Sequence, residues 1–258
     1  MMLVYLLAAS LIINGLFFIC AALLKTDVFT DITYALSFTV LSVVLYAFYQ
    51  PTSCVSLLVL ASVLLWAFRL GGYLFVRILR IKVDHRFDDR RNSVIAFGSF
   101  WLLQAITVWL VMLPIFGITS NDARASQVPL VSIIAFGVLW LVGFVIQFIA
   151  DSQKFIFKSK AENKDRFMNE GIWKYSRHPN YFGEIVMWWA LALQGIFIYQ
   201  GFQWLYFIGP VFISLMLIFV SGIPLLAKSA EAKWGTNPAY HEYRAQTSLL
   251  IPLPPRNK

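Results

Sequence analysis

The stretch richest in side chains able to do chemistry is GIWKYSRHPNYFGE, residues 171–184. Pro179 suits the first turn of a helix, with Ser176 to His178 around its cap. The free N–H groups and the dipole of such a helix start favour an anion there. Asn180 and Glu184 are four residues apart and share one face, while Arg177 and Tyr181 share a neighbouring one. A carboxylate within a membrane span is costly, so Glu184 must face a polar cavity or a partner. An ion pair with an arginine, locking two helices, would also accommodate it. Further upstream, Asp151, Gln153, Lys154 and Lys158 form a second cluster. Lys154 and Lys158 are four apart and point the same way, as two cations gripping a phosphate would, or as a basic anchor facing lipid headgroups would.

Two further clusters are open to more than one reading. Arg69, Tyr73, Arg77 and Arg80 lie on one stripe at offsets 0, 4, 8 and 11, continued by Asp84 and Arg86. They make either an internal polar surface or a set of side chains snorkelling at a helix end. Lys228, Glu231, Trp234, Tyr240 and Tyr243 put aromatic rings beside charges ahead of a Pro-rich end. They could stack on an adenine and hold its phosphates, or form an amphipathic helix lying in the membrane interface. The histidines, at 85, 178 and 241, have no metal-ligand spacing, and no GxGxxG, GxxxxGK[ST] or HExxH occurs, so no metal site is expected.

The elements that must position these residues follow from composition. Of 258 residues, 59% are hydrophobic and 13% charged, against about 25% charged in soluble domains. Too little polar surface is available for a water-soluble globule, and a 17% aromatic content excludes disorder. The expected fold is an all-α integral membrane protein, with cytoplasmic loops and tail capping a bundle in one domain over 1–258. Seven stretches are long enough to cross roughly 30 Å of hydrocarbon. They are 2–24, 30–49, 52–68, 93–117, 128–150, 181–200 and 202–226, with turn residues at Gln50-Pro51 and Gly201. Cys20 and Cys54 fall inside apolar runs and are expected to pack as small hydrophobes. With seven helices, Lys25, the basic residues of 80–91 and 154–177, and those of the tail (Lys228 to Lys258) all lie on one side. Only Arg124 is on the other, with Arg69 and Arg77 along the third helix. The positive-inside rule then puts the C-terminus in the cytoplasm and the N-terminus outside. The net charge of +8 is thus explained by topology and anionic lipid, and nucleic acid is not an expected partner.

With these residues assembled, the sequence resembles the steroid 5α-reductase family, in particular its bacterial membrane branch. The resemblance rests on IADSQK at 149–154, GIWKYSRHPNYFGE at 171–184 and SGIPLLAKSAEAKWGTNPAYHEYRAQTSLLIPLPP at 221–255. RLGGYLFVR at 69–77, VDHRF at 83–87 and the Gln104 region add to it, whereas the first two helices match only in hydrophobicity. Sterol C14- and 7-dehydrocholesterol reductases and isoprenylcysteine carboxyl methyltransferases share relatives of the RHPNYFG core. The resemblance implies NADPH held on the cytoplasmic side and hydride delivery to an activated C=C bond of a steroid lying in the bilayer. By it, Lys154 and Lys158 contact cofactor phosphates and Asp151 orders that end. Asn180, Tyr181 and Glu184 hold the nicotinamide end, and Arg177, His178, Lys228, Trp234 and Tyr243 complete the wall. Arg69 and Arg77 join these cofactor candidates. It also implies a bacterial inner-membrane protein, here expected as a monomer.

Two departures stand out. The steroid reductases carry a Gln-Glu pair at the end of the second helix, where this chain has Tyr49 and Gln50 and no carboxylate; and LLEK reads LLAK here, with Ala227. Reducing an enone needs hydrogen-bond donors where negative charge develops on the carbonyl oxygen, each contributing roughly 3–4 kcal/mol in a dry site. Tyr46, Tyr49 and Gln50, with Trp66 or Tyr73, are the candidate donors, and a Tyr or water supplies the α-carbon proton. The catalytic expectation is therefore Glu184, Asn180, Tyr49, Gln50, Tyr73 and Trp66. The competing expectation is an S-adenosylmethionine-dependent methyltransferase of a lipidated or isoprenoid substrate, which would leave the Lys154/Lys158 pair without phosphates. A transporter or scaffold is disfavoured by the absence of internal repeats.

Overall fold

The structure, a computed structural model, describes residues 1–81 and 93–256. The segment VDHRF and the expected loop residues Lys82, Asp84, Arg86, Arg90 and Arg91 lie outside the described residues, as do the side chain of Arg80 and all of Lys258. Among the described residues every long element is a helix; Ser176 and Ser248 form an isolated parallel bridge. Six helical segments are long and apolar enough to cross a membrane: Met2–Leu23, Phe29–Tyr49, Cys54–Leu79, Val94–Thr119, Leu130–Ser159 and Gly201–Trp234. Large apolar side chains stand exposed along the first (Val4, Ile12, Leu16, Ile19) and along the fifth (Leu130, Val131, Ile134, Val138, Leu141). Exposed apolar surface on this scale belongs against lipid, and the chain is an integral membrane protein.

The seven-span expectation differs at 181–200. There the α-helix covers only Pro179–Leu193, 15 residues, and tightens into a 3₁₀ turn at Gln194–Phe197. The expected span 202–226 is instead part of a composite of 3₁₀, α and π turns starting at Gly201. Cys20 and Cys54 are exposed and free.

The chain falls into two compact units, residues 1–133 with 191–212, and residues 134–190 with 213–258. In the first unit, α1 (Met2–Leu23), α2 (Phe29–Tyr49), α3 (Cys54–Ile81) and α4 (Val94–Val111) pack side by side, with α2 along α3 and α1 along α4. Val55, Val59, Val63 and Trp66 bury one stripe of α3 at spacings of four and three, against Phe38, Leu41 and Leu45 of α2. Asn14 and Gln104, polar residues within the apolar layer, find partners locally. Asn14 donates to Ser37 Oγ (3.2 Å), and Gln104 donates to Asn14 Oδ1 (2.9 Å) and to the Thr30 carbonyl (3.2 Å). α2 ends at Gln50, which adopts a left-handed conformation (φ 43°), ahead of Pro51. α4 gives way at Met112 to α5 (Leu113–Thr119), because Pro114 cannot donate an N–H. α6 (Asp122–Ala125) sets Asp122 to accept hydrogen bonds from the N–H groups of Thr52 (2.9 Å) and Ser53 (3.2 Å), at the start of α3.

The second unit holds most of α7 (Leu130–Ser159) and of α8 (Pro179–Leu193), part of α9 (Ile208–Leu215), α10 (Ile223–Trp234) and α11 (Pro238–Gln246). α7 and α8 are in backbone contact. A Cβ on Gly183 would lie 2.5 Å from the Gly143 carbonyl oxygen, so only glycine allows the helices this close.

Candidate functional site

The close approach of α7 and α8 registers two polar rungs. Gln147 Nε2 donates to Glu184 Oε2 at 3.0 Å, and one turn away Asn180 Nδ2 donates to Asp151 Oδ1 at 3.2 Å. The order is antiparallel, 147 with 184 and 151 with 180, and the amide and the carboxylate exchange helices between rungs. Gln147, Asp151 and Glu184 are buried (2%, 5% and 7% exposed). Both amide oxygens, Gln147 Oε1 and Asn180 Oδ1, are buried and have no hydrogen-bond partner among the described residues. Sequence reasoning missed Gln147, a single polar residue in an apolar run; its position four residues before Asp151 was the available signal.

The stripe continues along α7 to Lys154 and Lys158. Lys154 Nζ sits 4.7 Å over the Trp173 ring and Lys158 Nζ 5.1 Å over the Trp234 ring. Both cations thus lie against aromatic faces of their own unit. Trp173 is itself pinned to α7, its Nε1 donating to the Ala150 carbonyl at 3.0 Å. Next to it Gly171, at φ +58°, lets the Ile172 N–H reach Gln153 Oε1 at 2.9 Å.

Ser176 organises the entry to α8. Its hydroxyl donates to the Leu250 carbonyl (2.7 Å) and accepts from the His178 N–H (3.1 Å), and Pro179 follows as the first helical residue. The tail runs alongside: Arg177 N–H donates to Ser248 O at 2.9 Å and Leu253 N–H to Tyr175 O at 3.0 Å. The His178 ring is buried and lies parallel to Tyr181, with centroids 5.7 Å apart. Burial first, then the charges of Lys154 and Arg177, press its pKa down to about 3, so the imidazole is neutral at ordinary pH. Arg177 is half-buried with its Nε unpartnered among the described residues; burial and the charge of Arg244 press against its positive charge. A neutral histidine, three cations and two unpaired amide oxygens thus share one unit.

Other expected residues are committed elsewhere. The Tyr243 hydroxyl, its pKa raised by burial, donates to the Trp173 carbonyl at 2.8 Å. Trp234 Nε1 donates to Asp165 O at 3.3 Å and packs against Phe167, so both residues fasten the 164–174 segment to the tail. Lys228 is exposed on α10. Tyr49, Gln50, Trp66, Arg69, Tyr73 and Arg77 belong to the other unit. There Arg77 Nη2 pairs with Asp31 at 2.8 Å, Trp66 is buried edge-on against Phe38, Tyr49 packs against Phe116, and Gln50 and Tyr46 are exposed.

A family model described as "Protein of unknown function (DUF1295)" matches residues 17–247, and the chain belongs to that family. No curated protein and no solved structure matches it.

Proposed function

We propose that this DUF1295 member is an NADPH-dependent reductase of an activated C=C bond in a steroid or similar lipid enone within the bilayer. The observation that carries the reading is the two-rung ladder beside Lys154, Lys158 and Arg177, with two buried amide oxygens left unpaired. Buried polar atoms are almost always hydrogen-bonded, and a ligand bound beside the ladder would supply the missing partners of its two amide oxygens. The donor set fits a dinucleotide: lysines and an arginine suit its phosphates, and the hydrogen-bonding side chains of the two rungs suit its base. The family is associated with steroid 5α-reductase-like proteins, which supports the same reading.

In this reading Lys154, Lys158 and Arg177 hold the phosphates, while Gln147, Asn180 and Glu184 orient the opposite end at the start of α8. NADPH, when bound, supplies the hydride for the β-carbon of the enone, and a proton from a tyrosine or water completes the α-carbon. His178, neutral by burial, adds no further cation at the start of α8.

The topology completes the proposal. The tail packs on residues 164–177, so both lie on one side of the membrane. If Gly201–Trp234 crosses, an earlier crossing is needed after residue 177, and α8 with its 3₁₀ extension is that seventh span. Its α part is about 22 Å long and its 3₁₀ turn about 8 Å, near the roughly 30 Å required. The basic side then faces the cytoplasm, with the N-terminus outside, in a bacterial inner membrane.

The test is a thermal-stability shift of the purified protein with NADPH, NADH and S-adenosylmethionine side by side, followed by NADPH consumption with a 4-ene-3-ketosteroid. NADPH should stabilise most, and Glu184→Ala should abolish turnover. Absence of both NADPH binding and enone turnover refutes the reading, and stabilisation by S-adenosylmethionine alone replaces it with methyl transfer.

A further inference from the structure

We infer that the tail loop 247–255 is a foot set into the cytoplasmic membrane surface, with Leu249, Ile251 and Leu253 in the acyl boundary and the cations beside them among anionic headgroups. The inference rests on α8 being a span, and it does not depend on the reaction proposed above. The loop is closed by the Arg256 N–H, which donates to the Gln246 carbonyl at 3.0 Å. Its height is fixed by hydrogen bonds to residues 175–177. The Arg177 N–H donates to Ser248 O (2.9 Å), the Ser176 hydroxyl to Leu250 O (2.7 Å) and the Leu253 N–H to Tyr175 O (3.0 Å). Pro179 opens α8 two residues after Arg177, so the loop lies level with the point where that helix enters the bilayer.

At this height the loop turns its aliphatic side chains away from the protein. Leu249, Ile251 and Leu253 are 41%, 55% and 50% exposed, whereas Ser248, Leu250 and Pro252 between them are half-buried. Exposed aliphatic groups gathered on one short loop mark a contact with something apolar. Tyr175, 46% exposed, and the exposed cations Lys174 and Arg256 flank them. Aliphatic side chains with a tyrosine and cations beside them suit the headgroup level of a membrane, where anionic lipid attracts the charges. The backbone suits it too. From 252 to 256 no N–H is left over: Pro252, Pro254 and Pro255 have none, and those of Leu253 and Arg256 are donated. Such a backbone enters a water-poor layer without stranding a donor.

The experiment measures depth. In a Cys20→Ser, Cys54→Ser background, single Leu249→Cys, Ile251→Cys, Leu253→Cys and Glu162→Cys proteins carry a nitroxide label in lipid nanodiscs containing phosphatidylglycerol. Collisions with oxygen, which concentrates in lipid, are compared with collisions with a water-soluble nickel chelate. The three tail labels should favour oxygen, and the label at the exposed position 162 should favour nickel. Replacing phosphatidylglycerol by phosphatidylcholine, or Lys174 and Arg256 by glutamine, should shift the tail labels towards nickel. Tail labels that behave like position 162 overturn the inference. Labels shielded from both reagents overturn it as well, because protein then covers the loop. An unchanged depth in phosphatidylcholine removes the two cations from it. NADPH binding is read on the same nanodiscs: binding with the tail in water overturns this inference alone, and no binding with the tail in lipid overturns the reductase reading alone.

Discussion

Adding one methyl group at Gly183 should open the ladder. A Cβ there would lie 2.5 Å from the Gly143 carbonyl oxygen and 2.8 Å from the Gln147 backbone nitrogen, both main-chain atoms that cannot rotate away. Reaching ordinary contact at about 3.4 Å requires α7 and α8 to separate locally by roughly 0.9 Å. If that displacement falls along the rungs, the 3.0 Å and 3.2 Å hydrogen bonds become about 3.9 and 4.1 Å, beyond useful geometry. Overpacking costs typically 1–3 kcal/mol, and each buried polar pair that opens adds about 1 kcal/mol or more. Gly183→Ala should therefore destabilise the protein by roughly 2–5 kcal/mol and weaken NADP⁺ binding. Gly137→Ala is the matched control on α7, because a Cβ there meets nothing within 4 Å. The assay is thermal unfolding in detergent, with and without NADP⁺. A Gly183→Ala protein that melts and binds like Gly137→Ala would show that the two helices are not in this register.

Three more predictions follow from other parts of the molecule. Asp122→Ala should cost about 1 kcal/mol of thermal stability by removing the acceptor for the Thr52 and Ser53 N–H groups that lead into α3. Burial pushes the Asp122 carboxyl up, but hydrogen bonds from Ser53, Ser56 and Thr52 bring it down to about 2; its stabilisation is full above the ordinary carboxylate range and is lost as pH falls towards about 2. His178, held near 3, stays neutral when the unfolded chain takes up a proton below about 6.5. Stability should fall as pH drops from 6.5 towards 3, by at most about 1.4 kcal/mol per pH unit from this group, and His178→Asn melts should lose that component. Ser176→Ala removes both the donor to Leu250 and the acceptor for the His178 N–H, so limited proteolysis should cut the tail after residue 246 faster than in the unmodified protein.

Parts of the site were legible because they depend on spacing within a single element. Pro179 starts a helix because its missing N–H costs nothing there, and 3.6 residues per turn then put Asn180 and Glu184 on one face. The same arithmetic lined up Asp151, Lys154 and Lys158 on α7. Partner choice was not legible. A salt bridge from an arginine to Glu184 and an amide contact from Gln147 look alike in a linear chain, since both depend on which residue of another helix arrives opposite. Tyr243 and Trp234 illustrate the same limit: their ring chemistry suited a nucleotide wall, yet their polar atoms are spent on backbone carbonyls of the 164–174 segment.

What the sequence determined by itself is the solvent and the class of fold. Long apolar runs with few charges have no stable solution in water, and backbone groups in lipid must bond within their own helix. What only the tertiary structure decided is the register of α7 against α8, set where Gly143 and Gly183 bring two backbones into contact. From that register come the Gln147–Glu184 and Asn180–Asp151 pairs, and with them the two amide oxygens left without a partner among the described residues. The physical reason is range: helical periodicity acts over a turn, whereas a hydrogen bond between residues 147 and 184 requires the intervening chain to fold back first.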